Sequence, residues 1–532
     1  MKNLGIILGF TPRELVPHEG IARLIGFVVR GAVNSPEVSV TIAGPAWLRK
    51  EIKYLLEDAG IDPQKVDLVT TSGEPFLIRF WRLSQRFKRK ARPTVRRNRL
   101  MGLLTRVLSY IVAWLSSASI FTFLAGGVVF ALLAIVFAIP VLIGGTAVAA
   151  FLIYRRFSPR IKSSKLYKVR KWLSAKIGYV ISTVGPLDKV RSAELDRLVK
   201  KLNKRRDIDV WYVPSMFWPE VSNLQGKVLM AAPDIVFYEH PAQFLSPGDE
   251  RMLGRMTKSI AAADHLICYS DYVKQNHIVK HHNVPSDRVH VIRHGYVDTA
   301  SIEKGDGSKE SALEVLHKYI DDKNNDLPEY LRGFRFDDVD FLFYSSQVRP
   351  HKNIESLIVV FERLLREHYR PIKLVLTGRV LGNPRLKHII DTYGLGRDVI
   401  SLPSIPNHVL AALYRLATVS VTPTQFEGGF PFTFSEAYSV GTPSVMSRIP
   451  VVEELIDDKN LLEKMTFNPH NKREMLDRIL WALDNREELI ALQKPLFDKF
   501  SARSWDLVAN EYVDLAVNIA SGQMNGIEDR SR

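Results

Sequence analysis

Cysteine is all but absent from these 532 residues: Cys268 stands alone. That excludes an internal disulfide framework and any thiolate-rich zinc or iron–sulfur cage, and it leads us to expect a reducing compartment. No secretory leader is expected from the opening residues, because Leu4-Gly-Ile-Ile-Leu-Gly-Phe10 is short, lacks a small-residue cleavage site and soon meets Pro12, Arg13 and Glu14. The run reads as a first buried strand. Short-period repeats are absent, and 24% charged with 10% aromatic residues argues against general disorder. Most telling is a missing sign of charge: between Glu74 and Asp188 lie 113 residues without one carboxylate.

Twenty basic residues fall in that stretch, against a net charge of +16 for the whole chain. The remainder holds 53 basic and 57 acidic residues, so outside one segment the protein is slightly acidic. A basic nucleic-acid groove spread over the surface is thereby disfavoured, and no nucleic-acid partner is expected. Inside the segment, residues 107–154 form an uncharged run of 48, dominated by Leu, Ile, Val, Ala and Phe. A bilayer span takes about 20 apolar residues, so the run has room for two, with Gly126-Gly127 as a turn. Both flanks are strongly positive, from Lys88-Arg89-Lys90 on one side and Arg155-Arg156 on the other. An even number of spans with both flanks cytoplasmic satisfies that pattern. A helical hairpin in the inner (cytoplasmic) membrane, facing anionic lipids, is the expectation. A re-entrant or interfacial hairpin stays open because Pro140, Gly144 and Gly145 interrupt the second half, as does a buried soluble helical pair.

The soluble parts read as alternating strands and helices. Residues 4–10 and 38–43 are strand candidates around a helix over 21–33, and candidates resume at 209–214, 228–232, 235–238 and 265–269. A second series follows, with strands at 341–345, 373–377, 399–402 and 419–422 and helices over 354–368 and 409–416. Between them, residues 299–337 are charged and loop-like. The division expected is therefore an N-terminal α/β domain over 1–75 and 166–298, interrupted by the basic, membrane-inserting hairpin at 76–165. A link at 299–337, a C-terminal α/β domain over 338–475 and helices over 476–532 that pack back across the domains complete it. Two doubly wound domains in tandem suggest a ligand in the cleft between them.

The stretch most specific for chemistry is Pro423-Thr-Gln-Phe-Glu427-Gly-Gly-Phe-Pro-Phe-Thr-Phe-Ser-Glu436. It sets a carboxylate and two glycines in a loop after a strand, then a second carboxylate in the first turn of the next helix. Backbone N–H groups there suit an anion such as a diphosphate, and carboxylates accept from sugar and ribose hydroxyls. A capped helix with a solvated acidic face is the plain alternative.

These residues resemble the retaining glycosyltransferases of family 4, which have a GT-B fold: two Rossmann-like domains facing a cleft, which implies that the N-terminal domain (1–75 and 166–298) takes the acceptor and the C-terminal domain (338–475) the nucleotide-sugar. The resemblance implies that Glu436 binds the donor ribose and that Glu427 lies near the donor sugar, with Gly428, Gly429 and Phe430 completing the loop. Eight residues separate the two glutamates where the family has seven. Ser345-Ser-Gln-Val-Arg-Pro-His-Lys352 resembles the family's phosphate-binding turn, with Lys352 facing the diphosphate. Many members carry an arginine five residues before that lysine; Gln347 stands there, so either Arg349 substitutes or the phosphate is held with one cation fewer. His18-Glu19-Gly20 is similar to the first-domain loop over the donor phosphates, with Gly20 allowing close backbone approach. His240 sits where many members place a histidine beside the reacting sugar, and a structural role for it stands beside the catalytic one.

The resemblance implies a membrane-associated enzyme that transfers a sugar, of mannose type, from a nucleotide-sugar to a lipid-linked or polysaccharide acceptor at the cytoplasmic face. No cofactor or obligatory metal is expected, and an oligomer is permitted. The rival readings are a catalytically silent GT-B subunit of a polysaccharide synthase and a GT-B epimerase or phosphorylase.

Overall fold

Strands whose consecutive residues are all buried, such as β4 (Val210–Val213) and β8 (Phe341–Tyr344), call for parallel sheets covered on both faces. The computed structural model, which describes residues 1–15, 20–75, 78–79, 82, 186–244, 250–322 and 327–523, contains two of them. The first takes β1 (Lys2–Ile7), β2 (Val38–Gly44), β3 (Asp67–Thr70), β4, β5 (Lys227–Ala231), β6 (His265–Cys268) and β7 (Val289–Val291) in the order β3-β2-β1-β4-β5-β6-β7. Leu4 pairs with Val40 on one side and with Val210 on the other. The chain therefore leaves after β3 and returns at β4 to the same sheet. The hairpin expected at 107–154, its basic flanks, His18 and Glu19 lie outside the described residues. Among the described residues, no helix is long and apolar enough to cross a membrane.

The second sheet joins β8 to β9 (Lys373–Leu376), β10 (Val399–Ser401), β11 (Val419–Thr422), β12 (Ser444–Ser447) and β13 (Thr466–Phe467), in the order β10-β9-β8-β11-β12-β13. Order reverses between β1 and β4 in the first sheet and between β8 and β11 in the second, and at such switch points loops diverge to leave a crevice.

Two sequence expectations are corrected. Residues 235–238 do not form a strand: Val236–Glu239 is a helical turn, with Tyr238 N bonded to Ile235 O (3.0 Å) and His240 N to Val236 O (2.9 Å). β5 already has β4 and β6 as neighbours, so no sheet edge is left for another strand beside it. Nor are residues 299–337 simply a loop-like link. Helix Lys309–Asp321, capped by Ser308, buries Ala312, Leu316 and Ile320. Leu316 and Ile320 pack with Phe341, Phe343 and Leu413 in the second domain's core. The many charged residues on its other face mask this apolar stripe in the sequence.

Helices Lys472–Asp484 and Arg486–Ser501 pack on the second sheet, whereas Trp505–Ser521 returns to the first domain. It lies along helix Gly20–Asn34, with Trp505 stacked on Phe27 at 4.8 Å and Arg30 paired to Asp506 at 2.5 Å. Close approach depends on Gly31, where a Cβ would sit 2.7 Å from that of Ala509. Gly31→Val is therefore expected to lower stability by about 1–3 kcal/mol through overpacking. An unchanged urea midpoint would show that this helix contact is not tight.

Candidate active site

The loops that follow β8 and β11 bring the charged residues together at the strand switch. After β8 the chain makes a tight turn, Pro350–Lys352, and Asn353 takes a left-handed conformation (φ 55°, ψ 28°) before helix Ile354–Arg366 begins. That turn presents Lys352 to the loop after β11, where its Nζ bonds to Glu427 Oε1 at very short range. The two side chains are 18% and 23% exposed, so the pair is partly desolvated. Glu436 lies in helix Phe432–Tyr438 as its fifth residue, in the second turn rather than the first. Tyr414 Oη donates to its Oε2 at 2.7 Å. Burial raises the Glu436 pKa, while the Tyr414 hydrogen bond and the charge of Arg23 from the first domain oppose that shift.

Arg349, the candidate substitute for the arginine whose place Gln347 takes, donates through Nη2 to Gln347 Oε1 at 2.9 Å. Gly428 and Gly429 run flush against the first domain. A Cβ at Gly428 would strike the Pro233 carbonyl, and one at Gly429 would lie 3.1 Å from Tyr269 Cβ and from the His294 ring. Ser270 Oγ donates to Gly428 O at 2.9 Å. Among the described residues the amides of Gly428, Gly429 and Phe430 donate to no protein acceptor. Phe430 turns its ring onto Phe434 (5.8 Å) and Phe500 (4.6 Å), which leaves its backbone rather than its side chain for a ligand. Gly20 opens helix Gly20–Asn34 in the first domain.

From the first domain, His240 reaches the same region. Its ring bonds to the backbone of Gln425, its Nε2 is buried without a partner, and burial lowers its pKa, so it is neutral near pH 7. Asp234, which no motif marks, opens onto the cleft beside these groups. The side chain is exposed to the cleft, and its pKa is raised by local desolvation first and by the Glu427 charge second, with Lys352 and Arg349 opposing. Sequence reasoning missed it and Tyr414; the one available signal for Asp234 was its place just beyond the end of β5.

Two facing α/β domains, each with a switch point, and a charged loop cluster between them constitute a GT-B fold with a cleft site. Residues 331–494, most of the second domain, match the family described as glycosyl transferases group 1. Among curated proteins, the chain is similar to an uncharacterized glycosyltransferase of Methanocaldococcus jannaschii, at 28% identity over 34% of this chain and 45% of that one. It is also similar to O-antigen chain mannosyltransferase B of Escherichia coli, at 24% identity over 38% and 49%. The chain thus spans about half the length of the curated relatives it matches. Among solved structures, Anabaena HepE in complex with UDP and glucose aligns with a TM-score of 0.56 at 11% identity, covering 97% of this chain and 100% of that one. Sucrose-phosphate synthase from Thermosynechococcus elongatus aligns with a TM-score of 0.56 at 13% identity, over 98% and 100%. These two likenesses establish the fold.

Several histidines are held neutral, His294 and His351 among them at the cleft. Burial lowers His294 to about 3, and lowers His290 and His351 to about 4. Folded-state values below the ordinary 6.5 give stability that is complete above pH 6.5 and is lost as pH falls through 4 towards 3. His294 is caged by Tyr269 (4.1 Å), Phe432 (4.6 Å) and Trp505 (6.1 Å), a site that accepts a phenyl ring. In His294→Phe the loss of stability between pH 6.5 and 4 should be shallower than in the parent, as read from denaturant unfolding at a series of pH values. Identical slopes would contradict the assignment.

Proposed function

We propose that this chain is a membrane-associated glycosyltransferase that moves a hexose, of mannose type, from a nucleoside diphosphate sugar to a lipid-linked or polysaccharide acceptor, with retention at the anomeric carbon. The observation that carries the reading is the Lys352–Glu427 pair at the strand switch, with the Tyr414-held Glu436 on the loop's following helix. Supporting it, the group 1 match spans all of these residues. The mannose-type donor leans on the likeness to the Escherichia coli mannosyltransferase.

In this reading Lys352 exchanges Glu427 for the donor diphosphate, and the unpartnered amides of Gly428 and Gly429 add donors where negative charge grows as the sugar departs. Glu436 accepts from the ribose hydroxyls, and Arg349 adds a second cation beside the phosphates. Gly20 and the start of its helix close over the diphosphate from the first domain. The bond from the anomeric carbon to the diphosphate oxygen breaks while the acceptor oxygen attacks the same face, and the acceptor proton passes to the departing phosphate oxygen. Glu427, freed from Lys352, and neutral His240 then face the sugar and fix its orientation. Membrane association rests on the apolar run at 107–154 and its basic flanks.

The test is a panel of GDP- and UDP-sugars offered to membranes bearing the full chain, with product mass as the readout. Lys352→Ala and Glu427→Gln should each lower transfer by about 10²–10³-fold, the scale set by losing a preorganised charge. Transfer that survives both substitutions would sink the assignment. A carbonate wash should leave the chain in the membrane pellet, and its release would remove the membrane part alone.

A further inference from the structure

We infer that the C-terminal edge of the first sheet, over β1 to β4, faces the bilayer, and that the acceptor is a saccharide on a lipid whose hydrocarbon chain reaches the cleft along that edge; this rests on the membrane-associated transferase reading above.

Parallel strands end at one edge, so the loops after β1, β2, β3 and β4 all open on the same side of the sheet. The chain leaves the described part of the domain there. After β3 ends at Thr70, Ile78 is buried in the domain core, and Arg82 pairs with Glu74 at 2.7 Å and donates to the carbonyl of Trp47, beyond the end of β2, at 3.4 Å. It returns at the same edge. Helix Pro186–Leu202 runs against the strands: Leu195 lies against Gly9, beyond the end of β1, while Asn203, just past the helix, bonds to Asn223 and Gln225, before the start of β5. Its first turn therefore sits over the strand ends from which the chain departed. Residues 83–185, which join these two stems, hold the uncharged run at 107–154 and both of its basic flanks. A membrane-inserting segment with both stems at one edge brings that edge to the bilayer surface.

The cleft opens on the other half of the same edge. The loops after β5, β6 and β7 meet the second domain: Pro233 and Asp234 lie against Gly428, Ser270 Oγ donates to Gly428 O, and His294 lies against Gly429. From β1 to β5 is two strand spacings, about 10 Å, and from β3 to β5 four, about 19 Å. Aromatic side chains cover that distance. Phe10 after β1 meets Trp218 after β4 edge-on at 5.0 Å, and Phe217 meets Phe237, after β5, at 6.4 Å. Trp47 Nε1 donates to the Phe10 carbonyl at 3.0 Å and so joins this row to the stem held by Arg82. Trp218 is buried, whereas Phe10, Phe217 and Phe237 keep part of their surface open, which makes an apolar path from the stems towards Asp234 and His240. Every residue of the path belongs to the first domain, the one that the family resemblance gives to the acceptor. A hydrocarbon chain laid along it keeps apolar contacts while its saccharide reaches the cleft, so the acceptor need not leave the bilayer.

Fluorescence quenching tests the edge. Cys268, the chain's one cysteine, is fully buried, so a cysteine placed on the surface is the thiol that takes a fluorescent label. Ser72 is exposed beyond the end of β3 and Gln225 before the start of β5; β2, seven residues long, sets the two edges about 23 Å apart. With the full chain on phosphatidylethanolamine–phosphatidylglycerol vesicles that carry nitroxide headgroups, the label in Ser72→Cys should be quenched severalfold more than that in Gln225→Cys. Equal quenching, or none in either, overturns the edge assignment. The acceptor is read by offering radiolabelled GDP- and UDP-sugars to membranes bearing the chain. Label should move into the solvent-extracted lipid, and Phe217→Ser should lower that transfer by about tenfold, the scale of one lost aromatic contact, with UDP and GDP affinity unchanged within about twofold. Label found only in water-soluble polymer, or lipid labelling untouched by Phe217→Ser, overturns the lipid path. Failure of both UDP and GDP to bind would instead remove the transferase reading, and the edge assignment would still stand or fall on the quenching.

Discussion

The cleft is organised around one partly desolvated ion pair, Lys352 with Glu427, made by loops that follow two neighbouring parallel strands. Each charge is partly desolvated there, and its partner offsets part of that cost. Each holds the other in place, and on the reading proposed above a diphosphate takes the lysine from the carboxylate. On that reading the surroundings suit such an exchange. Asp234 stands beside Glu427 with a raised pKa, Arg349 lies close by, and the Gly428 and Gly429 amides carry no competing acceptor.

The position of Glu427 also depends on the meeting of the two domains, because the residues on either side of it are gripped by the first domain. Phe426 is 4% exposed, packs within the first domain's core and stacks on His277 at 5.4 Å. His277 is bonded through Nε2 to Glu239, which also accepts from Tyr272 Oη at 2.6 Å. On the far side Ser270 holds the Gly428 carbonyl. A second clasp lies nearby, where Glu454 accepts from the amides of Asp271 and Tyr272 and pairs with Arg293. Any opening of the cleft must release Phe426 and Ser270 and so displace Glu427. Domain closure and the completeness of the site are thereby linked.

Much of this was legible in the sequence for physical reasons. Parallel strands buried on both faces must be continuous apolar runs, so β1, β4, β8 and β11 could be read directly. Glu427 and Lys352 stand out in the sequence as charged residues in loops at strand ends, while Glu436, inside a helix, was singled out through the family resemblance. What was not legible depends on partners distant in sequence. Tyr414 becomes the support of Glu436 only when two helices are set side by side, and Asp234 becomes a cleft carboxylate only when the domains face each other. The helix over Lys309–Asp321 was hidden by its charged face, and the turn at Val236–Glu239 by β-prone residues that had no free sheet edge.

The central claim is that Lys352 trades Glu427 for a diphosphate, and the affinity for nucleoside diphosphates tests it most directly. Calorimetric titration of UDP and GDP into the parent, Lys352→Gln and Glu427→Gln separates the two partners by sign. The account predicts that Lys352→Gln weakens binding by about tenfold or more, as expected for losing a charge-assisted contact to phosphate. Glu427→Gln should tighten it, because the competing carboxylate is gone. Unchanged affinity in Lys352→Gln, or equal weakening in both variants, would contradict the exchange.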